Sequence, residues 1–470
     1  MYESLTSHCS AAINDAGIRA NDPAPGRKHH DSIAGLHGFS RKCIRRHIAM
    51  NRWRHMAKLA FCAAVAVLAV FEFAQAQADE MNGRRLTIGA FGTIGVDYQD
   101  NRDLEYRRAV NQPDNANGGR PDFSTDSLAG LQINAAWNHQ LELVLQGVSQ
   151  DTADHHWRPR LTRGFIRYVP DQSIANTTIM LRGGRIGDEF FPRADSSQIG
   201  YTFLTLRPPV EMFGQMPNQD FDGADVTLTR PFGAGLGRAK LFGGESSGAY
   251  MPSQGPTMDL AGSRIWGAQV EYSRGPWAAL FGMSWFLQKH PPSLDALVAG
   301  LRQTGQPQAQ SLAQEFATFG RRTSIMTAAL TYDEAPWQGR LYLVRTGTGS
   351  AIGPALNIGA ATLGYGIGKF TPYSLLSRAQ NYSHIQSTGL PDSPQTAALN
   401  AGAYAAQTQS QTNQSTVAVG LRYDFAPKMD FKFQIDHVWT QGSELVFDSN
   451  VAPRYHPELT VFGLAFDFVY

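Results

Sequence analysis

The last eleven residues, Thr460-Val-Phe-Gly-Leu-Ala-Phe-Asp-Phe-Val-Tyr470, decide how the rest of the chain is read. Phe462, Leu464, Phe466, Phe468 and Tyr470 share one parity, while Val461, Gly463, Ala465, Asp467 and Val469 share the other. A β-strand points alternate side chains to opposite faces, so this segment has one large apolar face and one small or charged face. A soluble sandwich would turn the large face to a core, and a membrane barrel would turn it to lipid. The terminal strand alone fits either arrangement.

Similar runs recur upstream, separated by turn residues. They fall at 86–98, 125–137, 139–150, 160–169, 176–187, 222–230, 237–245, 263–273, 276–286, 322–334, 337–347, 354–366, 369–379, 415–426, 428–439 and 459–470. Sixteen strands result, an even number, as a single-chain bacterial barrel needs for both ends to emerge on one side. The gaps alternate in length. Those at 99–124, 151–159, 188–221, 246–262, 287–321, 380–414 and 440–458 are long. Those at Asn138, 170–175, 231–236, Arg274-Gly275, Ala335-Pro336, Ile367-Gly368 and Pro427 are short, and only 348–353 is shorter than the alternation predicts. Membrane barrels have short turns on one side and long loops on the other, whereas sandwiches have no reason to alternate.

The two-faced rule holds strand by strand. Met429, Phe431, Phe433, Ile435 and Trp439 oppose Asp430, Lys432, Gln434 and Asp436. Val417, Val419, Leu421, Tyr423 and Phe425 oppose Arg422 and Asp424, and Leu141, Leu143 and Leu145 oppose Glu142 and Gln146. Such charges are costly in a packed core and natural in a water-filled lumen. The fold class is therefore all-β, a transmembrane antiparallel barrel of about sixteen strands.

The other end of the chain agrees. Asn51 to Lys58 is basic, Leu59 to Phe71 is an apolar run of thirteen residues, and Ala76-Gln77-Ala78 is a small-x-small site before Asp79-Glu80. That is the layout of a secretory signal peptide, too short for a spanning helix of roughly 20 residues. We expect 50–78 to be the signal, 79–470 the barrel, and 1–49 either disordered or a non-native extension ahead of a start at Met50 or Met56. Cys9, Cys43 and Cys62 all precede Asp79, so the expected mature chain has neither disulfides nor a thiol nucleophile. It holds 31 Lys and Arg against 35 Asp and Glu, a formal net charge of −4, which gives nucleic acid no footprint. Arg outnumbers Lys 26 to 5 there, suiting fixed charges aimed into a pore or at carboxylates. Mean hydropathy is −0.29, compatible with a wide barrel half of whose strand residues face water.

Several segments resemble a family of Gram-negative porins: Leu181-Arg-Gly-Gly-Arg-Ile-Gly187, Ile199-Gly-Tyr-Thr-Phe-Leu-Thr-Leu-Arg-Pro-Pro-Val-Glu-Met-Phe-Gly214, Leu363-Gly-Tyr-Gly-Ile-Gly-Lys-Phe-Thr-Pro-Tyr373 and Gly420-Leu-Arg-Tyr-Asp-Phe-Ala-Pro427. With the two ends, the likeness covers most of 85–470. It implies a passive pore in the outer membrane for small hydrophilic solutes, embedded in lipid and lipopolysaccharide and assembled as a homotrimer, without cofactor, metal or enzymatic activity. It also implies that Phe466, Phe468 and Tyr470 are the signal for barrel assembly. Finally, it implies that the third long loop, 188–221, folds inward and narrows the channel.

That loop carries Asp188, Glu189, Arg193, Asp195, Arg207 and Glu211. The strand before it offers Arg182 on the face opposite Leu181, with Arg185 at its outer end, and Arg163 and Arg167 share a face of the fourth strand. We expect an arginine ladder facing loop acids across the channel, giving a transverse field that orients polar or anionic solutes. Trp137, Trp157, Trp277, Trp337, Tyr373, Trp439 and Tyr470 lie near strand ends, where interfacial girdles want amphipathic rings.

Signals for other functions are poor. Gly244-Glu-Ser-Ser-Gly248 matches a nucleophile-elbow pattern, but Tyr250-Met-Pro-Ser-Gln-Gly follows instead of a helix. Asp154-His155-His156 could meet a metal, yet adjacent residues of an extended chain point apart. The alternatives are an outer-membrane barrel enzyme of hydrolase type and an adhesion barrel working through its long loops. Residues 297–317 and 395–415 are rich in Gln, Ala, Ser and Thr and read as mobile loops, with a short helix open to 293–316.

Overall fold

A computed structural model describes residues 85–112, 119–152, 157–216, 220–250, 258–290, 293–317, 322–348, 353, 355–408, 411–448 and 457–470. The readings of 1–49, of the signal segment 50–78 and of Asp154-His155-His156 lie outside the described residues.

Sixteen strands close into one antiparallel barrel. In chain order they are β1 (Arg85–Gln99), β2 (Leu128–Ala136), β3 (Leu141–Gln150), β4 (Arg160–Tyr168), β5 (Thr178–Gly187), β6 (Asp220–Phe232), β7 (Gly235–Ser246), β8 (Arg264–Arg274), β9 (Trp277–Leu287), β10 (Arg322–Glu334), β11 (Trp337–Gly347), β12 (Leu356–Tyr365), β13 (Phe370–Asn381), β14 (Gln414–Ala426), β15 (Met429–Thr440) and β16 (Glu458–Val469). Each pairs with its sequence neighbours. The ring shuts where β16 meets β1, from Phe91 opposite Val469 to Gln99 opposite Val461. All sixteen strands read from alternation are present. The boundaries differ by up to three residues, most at β2, whose first expected residues instead hold a loop turn with Thr125 bonded to Asp122.

Parity sets the two faces. Ile88, Leu131, Ile166, Leu181, Leu228, Leu241, Val270, Phe281, Leu330, Leu343, Leu363, Leu376, Val419, Phe433 and Leu464 come from fifteen different strands. Each is between 40 % and 59 % exposed, so this apolar face meets no protein core. Near the short-turn rim it carries a row of aromatic cross-strand pairs. Trp277 lies 4.7 Å from Tyr332, Trp337 4.7 Å from Tyr365, Phe370 4.5 Å from Tyr423 and Phe431 5.2 Å from Phe466. Among the aromatics assigned to girdles, Trp137, Trp277, Trp337 and Trp439 do face outward. Tyr373 does not: it is 5 % exposed and turned into the lumen.

The long loops share one rim and contain structure of their own. Leu104–Tyr106 in the first pairs with Val446–Asp448 in the last. Helix α1 (Val210–Phe213) belongs to the third loop. Helices α2 (Asp295–Gln303), α3 (Pro307–Ala317) and α4 (Ala397–Thr408) replace much of what the composition suggested were mobile loops. None is long enough to be stable alone. Leu301, Leu312, Phe316 and Ala403 bury one shared apolar cluster between them, and that packing makes the helices hold.

Candidate functional site: the lumen and its inserted loop

The inward face of the barrel opposes the lipid-like one, and the third loop runs through it. From the end of β5 this loop turns inward and touches strands on the far side before returning to β6. Gly200 lies against the terminal strand: a Cβ there would sit 2.1 Å from Asp467 Oδ1 and 2.5 Å from Thr93 Oγ1, so any larger residue would displace the Thr93–Asp467 pair. Lys432 Nζ donates to the Gly200 carbonyl at 2.7 Å and to Asp467 Oδ2 at 2.9 Å. Arg422 donates to the carbonyls of Tyr201 and Phe203, both at 3.0 Å, and pairs with Asp430 at 3.0 Å. The Leu206 N–H donates to Tyr373 Oη at 3.1 Å and Gln434 Oε1 at 3.0 Å, which explains why Tyr373 faces inward.

Arg207 and Glu211 anchor the loop most deeply. Arg207 is 1 % exposed. Its Nε donates to Asp126 Oδ1 at 2.9 Å and its Nη1 to Asp436 Oδ2 at 2.7 Å, with Asp97 3.9 Å from Nη2. Glu211 is fully buried and accepts from Ser377, Thr416 and Gln414 Nε2, the last at 2.7 Å. Such burial is tolerable only because each charge meets an opposite charge or a set of donors.

The opposite wall holds the rest of the expected site. Arg182 reaches Asp225 Oδ2 and Glu189 Oε1, each at 2.6 Å, and lies 5.3 Å over the Phe165 ring. Lys240 joins Glu189 at 2.5 Å. Burial favours the neutral carboxyl of Glu189, but Lys240 and Arg182 overcome it and bring its pKa down to about 2. Arg163 is buried and donates to the carbonyls of Thr162 at 2.7 Å and Asp195 at 2.7 Å. Burial, then Glu189, pushes Asp195 up. Asp188 is 3 % exposed, and neither of its oxygens has a hydrogen-bond partner among the described residues. Burial and the nearby Asp220 raise its pKa to about 8. Arg167 sits opposite Arg182 in the ladder and pairs with Glu142. Arg193 donates to the Thr202 carbonyl at 2.5 Å and reaches Asp333 at 3.4 Å.

Arg185 is elsewhere. It lies opposite Gly164 and Asp222 on the outward parity of Leu181, and pairs with Asp222 at 2.6 Å. Of the ladder, only Arg182 meets a loop acid in a contact ion pair, with Glu189; Arg163 holds loop backbone and Arg167 pairs with Glu142 on the neighbouring strand. Asp225 and Lys240 complete the Arg182–Glu189 cluster, and neither stands out in the sequence. Asp97, Asp126, Asp430 and Asp467 are further partners. Their only sequence signal is parity opposite an apolar face, and for Asp126 not even that.

The lumen is also less aqueous than its charges suggest. Asp430 and Lys432 are fully buried, because the loop fills the space beside them. Toward β6–β12 the filling is apolar: Phe190, Phe191 and Met212 pack on Phe221, Phe242, Ile265, Ile325, Tyr342 and Ile358. Toward β2 and β3 a small pocket, partly open to solvent, is lined by Arg108, Gln112, Gln150, Asp188, Gln198 and Phe213 among others. Gln146, Gln132 and Asn134 continue that wall below the pocket as inward-facing neighbours of the ladder.

A closed ladder without edges and an outer face that is apolar through its middle, with an aromatic row at one rim and charges only toward its ends, leave one solution. The chain is a sixteen-strand transmembrane β-barrel. No family model and no curated protein matches its sequence. Solved barrels do match its structure. An anion-selective porin from Comamonas acidovorans is 12 % identical, with a TM-score of 0.46 over 82 % of this chain and 100 % of that one. In-vitro folded OmpT, an outer membrane protein of Vibrio cholerae, is 10 % identical, with a TM-score of 0.45 over 84 % and 100 %. A mutant of the Rh. blastica porin is 11 % identical, with a TM-score of 0.39 over 82 % and 100 %. In this barrel the nucleophile-like segment Gly244–Gly248 runs off the end of β7 into Ala249–Tyr250, a two-residue strand, without the helix an elbow needs.

Proposed function

We propose that this barrel is an outer-membrane porin through which small hydrophilic solutes and ions diffuse passively past the inserted loop. The observation that carries the reading is the loop itself: held at several walls by buried ion pairs, it divides the lumen and faces a pocket of mixed polar and apolar lining on the β2–β3 side. A device of this kind sets which solutes pass without making or breaking a bond. The path we assign follows the pocket, then the part-exposed Gln132 and Asn134, then the pair Glu142–Arg167, whose arginine is 47 % exposed. Contact ion pairing of Arg182 and Lys240 with Glu189 and Asp225 weakens the transverse field that an unpaired ladder would give, so selectivity along this path is mild.

The same proposal includes export by the segment 50–78, long loops at the cell exterior, homotrimeric assembly, and lipid and lipopolysaccharide around the wall. The cysteine-free stretch 79–470 makes the path testable. Asn134→Cys, treated with a small charged thiol reagent during planar-bilayer recording, should lose current stepwise. A Cys at outward-facing Leu343 should not respond. Equal indifference at both positions would remove the path.

A further inference from the structure

The pocket between the first and third long loops holds a set of unmatched polar groups. Arg108 and Asn111 line it from the first loop, Asp188, Phe190 and Phe191 from the start of the third, and Phe213 from α1. The two loops are fastened to each other beside it. The Val110 N–H donates to the Gly214 carbonyl at 2.9 Å, and Val110 packs with Val210 and Leu445. A Cβ on Gly214 would lie 2.4 Å from the Arg108 carbonyl, so the two backbones approach as closely as glycine permits. The Arg108 N–H donates to Gln112 Oε1 at 2.8 Å, which braces the turn that carries Arg108 and Asn111. Backbone contacts and apolar packing therefore set the pocket walls, without pairing among the charged side chains that line it.

Asp188 and Asn111 are both more than nine-tenths buried. Asp188 Oδ1, Asp188 Oδ2 and Asn111 Oδ1 accept no hydrogen bond among the described residues. The cations nearest Asp188 are committed elsewhere: Arg160 to Asp220 at 2.5 Å, and Arg163 to the carbonyls of Thr162 and Asp195. Asp220 and Glu189 add only negative charge around it. On the donor side, the Arg108 guanidinium makes no hydrogen bond among the described residues. Its ion pair there is with Asp126 at 3.8 Å, a carboxylate that Arg207 already holds at 2.5 Å. Buried polar groups nearly always find partners, so acceptors without donors and a cation without a close anion in one pocket point to a ligand. The ligand must bring both. A primary ammonium has three N–H donors for the three oxygens, and a carboxylate matches the guanidinium fork. Between them stand the edge-on rings of Phe190, Phe191 and Phe213, at 6.4 Å and 5.5 Å from ring to ring, which favour an apolar substituent.

We infer that this pocket recognises a small zwitterion of the α-amino-acid class with an apolar side chain. Arg108 holds its carboxylate, Asp188 and Asn111 hold its ammonium, and Phe190, Phe191 and Phe213 receive its side chain. Calling this ligand a permeating solute rests on the porin reading; the binding itself does not. The test is calorimetric titration of the purified barrel in detergent with L-leucine, N-acetyl-L-leucine and L-leucinamide. L-Leucine should bind in the millimolar range or tighter. The two analogues each lack one charge and should bind the unaltered protein at least about tenfold more weakly. D188N and R108Q should each weaken L-leucine binding about tenfold or more. Proton release gives a readout that a structural role would not move. Burial and Asp220 raise the Asp188 pKa to about 8, so at pH 7 the carboxyl is mostly neutral and must give up its proton to pair with an ammonium. Binding at pH 7 should release close to one proton, seen as a heat that depends on the buffer, and should tighten by tens of fold from pH 6 to pH 8. D188N should abolish both effects. Failure of L-leucine to bind the unaltered protein overturns the inference. Equal binding of either analogue also overturns it, since the site would then take a simple anion or cation, as does equal binding by the parent, D188N and R108Q. If a variant fails to fold, the analogue series on the unaltered protein still decides. Single-channel conductance is recorded in parallel: steps without leucine binding overturn this inference alone, and leucine binding without steps overturns the porin reading alone.

Discussion

Replacing Arg207 by Met tests how the loop is held. The guanidinium is 1 % exposed and sits between Asp126, at 2.5 Å, and Asp436, at 2.7 Å, with Asp97 at 3.9 Å. Methionine keeps most of the side-chain volume, so the change removes charge and donors without opening a large hole. Asp436 and Asp97 are then left buried without their cation, and Asp126 keeps only Arg108, at 3.8 Å. Breaking a buried pair from one side costs about 3–5 kcal/mol, far above the cost of an exposed pair. The assay is urea unfolding of the refolded protein in detergent micelles, with conductance recorded in parallel. R207M should lose about 3–5 kcal/mol, and its conductance should rise and become noisier as the loop leaves the β15–β1 wall. The triple change R207M/D126N/D436N removes most of the stranded charge and should recover most of the loss. A loss below about 1 kcal/mol for R207M, or a triple variant as unstable as R207M, would refute the clamp.

Two further outcomes follow from the same geometry. Asp188 has a folded pKa of about 8 against 3.8 for the free carboxyl, so the docked loop loses stability as pH rises from about 4 to about 8 and carries a buried charge above that. D188N should flatten this dependence, read as loop protection from protease at pH 6 and pH 9; an unchanged pH profile would exclude Asp188 as its source. Deleting 466–470 removes the register of Phe91 to Ile94 with the last strand, together with the Lys432–Asp467 pair. The truncated chain should give little heat-modifiable barrel on electrophoresis, whereas normal yield with altered conductance would contradict an assembly role.

Strand count and face assignment are legible in the sequence because both depend on a period of two residues, which the order of residues carries directly. Parity alone sorts Phe431 and Phe433 to one face and Asp430 and Lys432 to the other. It does not give the environment of either face. Whether Lys432 meets water or the Gly200 carbonyl depends on where a loop more than two hundred residues upstream travels. Arg185 illustrates a second limit: its place at a strand end suggests a pore residue, and ladder pairing with Gly164 and Asp222 turns it outward. Tyr373 is a third, since an aromatic near a strand end fits a lipid girdle equally well until Leu206 and Gln434 claim its hydroxyl. Helix α4 has no local signature, because its Ala-rich sequence is stabilised by contacts with the loop that holds α2 and α3.

Conductance of the purified, unaltered protein in a planar lipid bilayer tests the central claim most directly. The account predicts discrete, ohmic steps that persist without any substrate, small for a sixteen-strand barrel because the loop fills much of the lumen, and larger in R207M. A bilayer that holds the inserted protein and shows no steps, in either the unaltered chain or R207M, would contradict it.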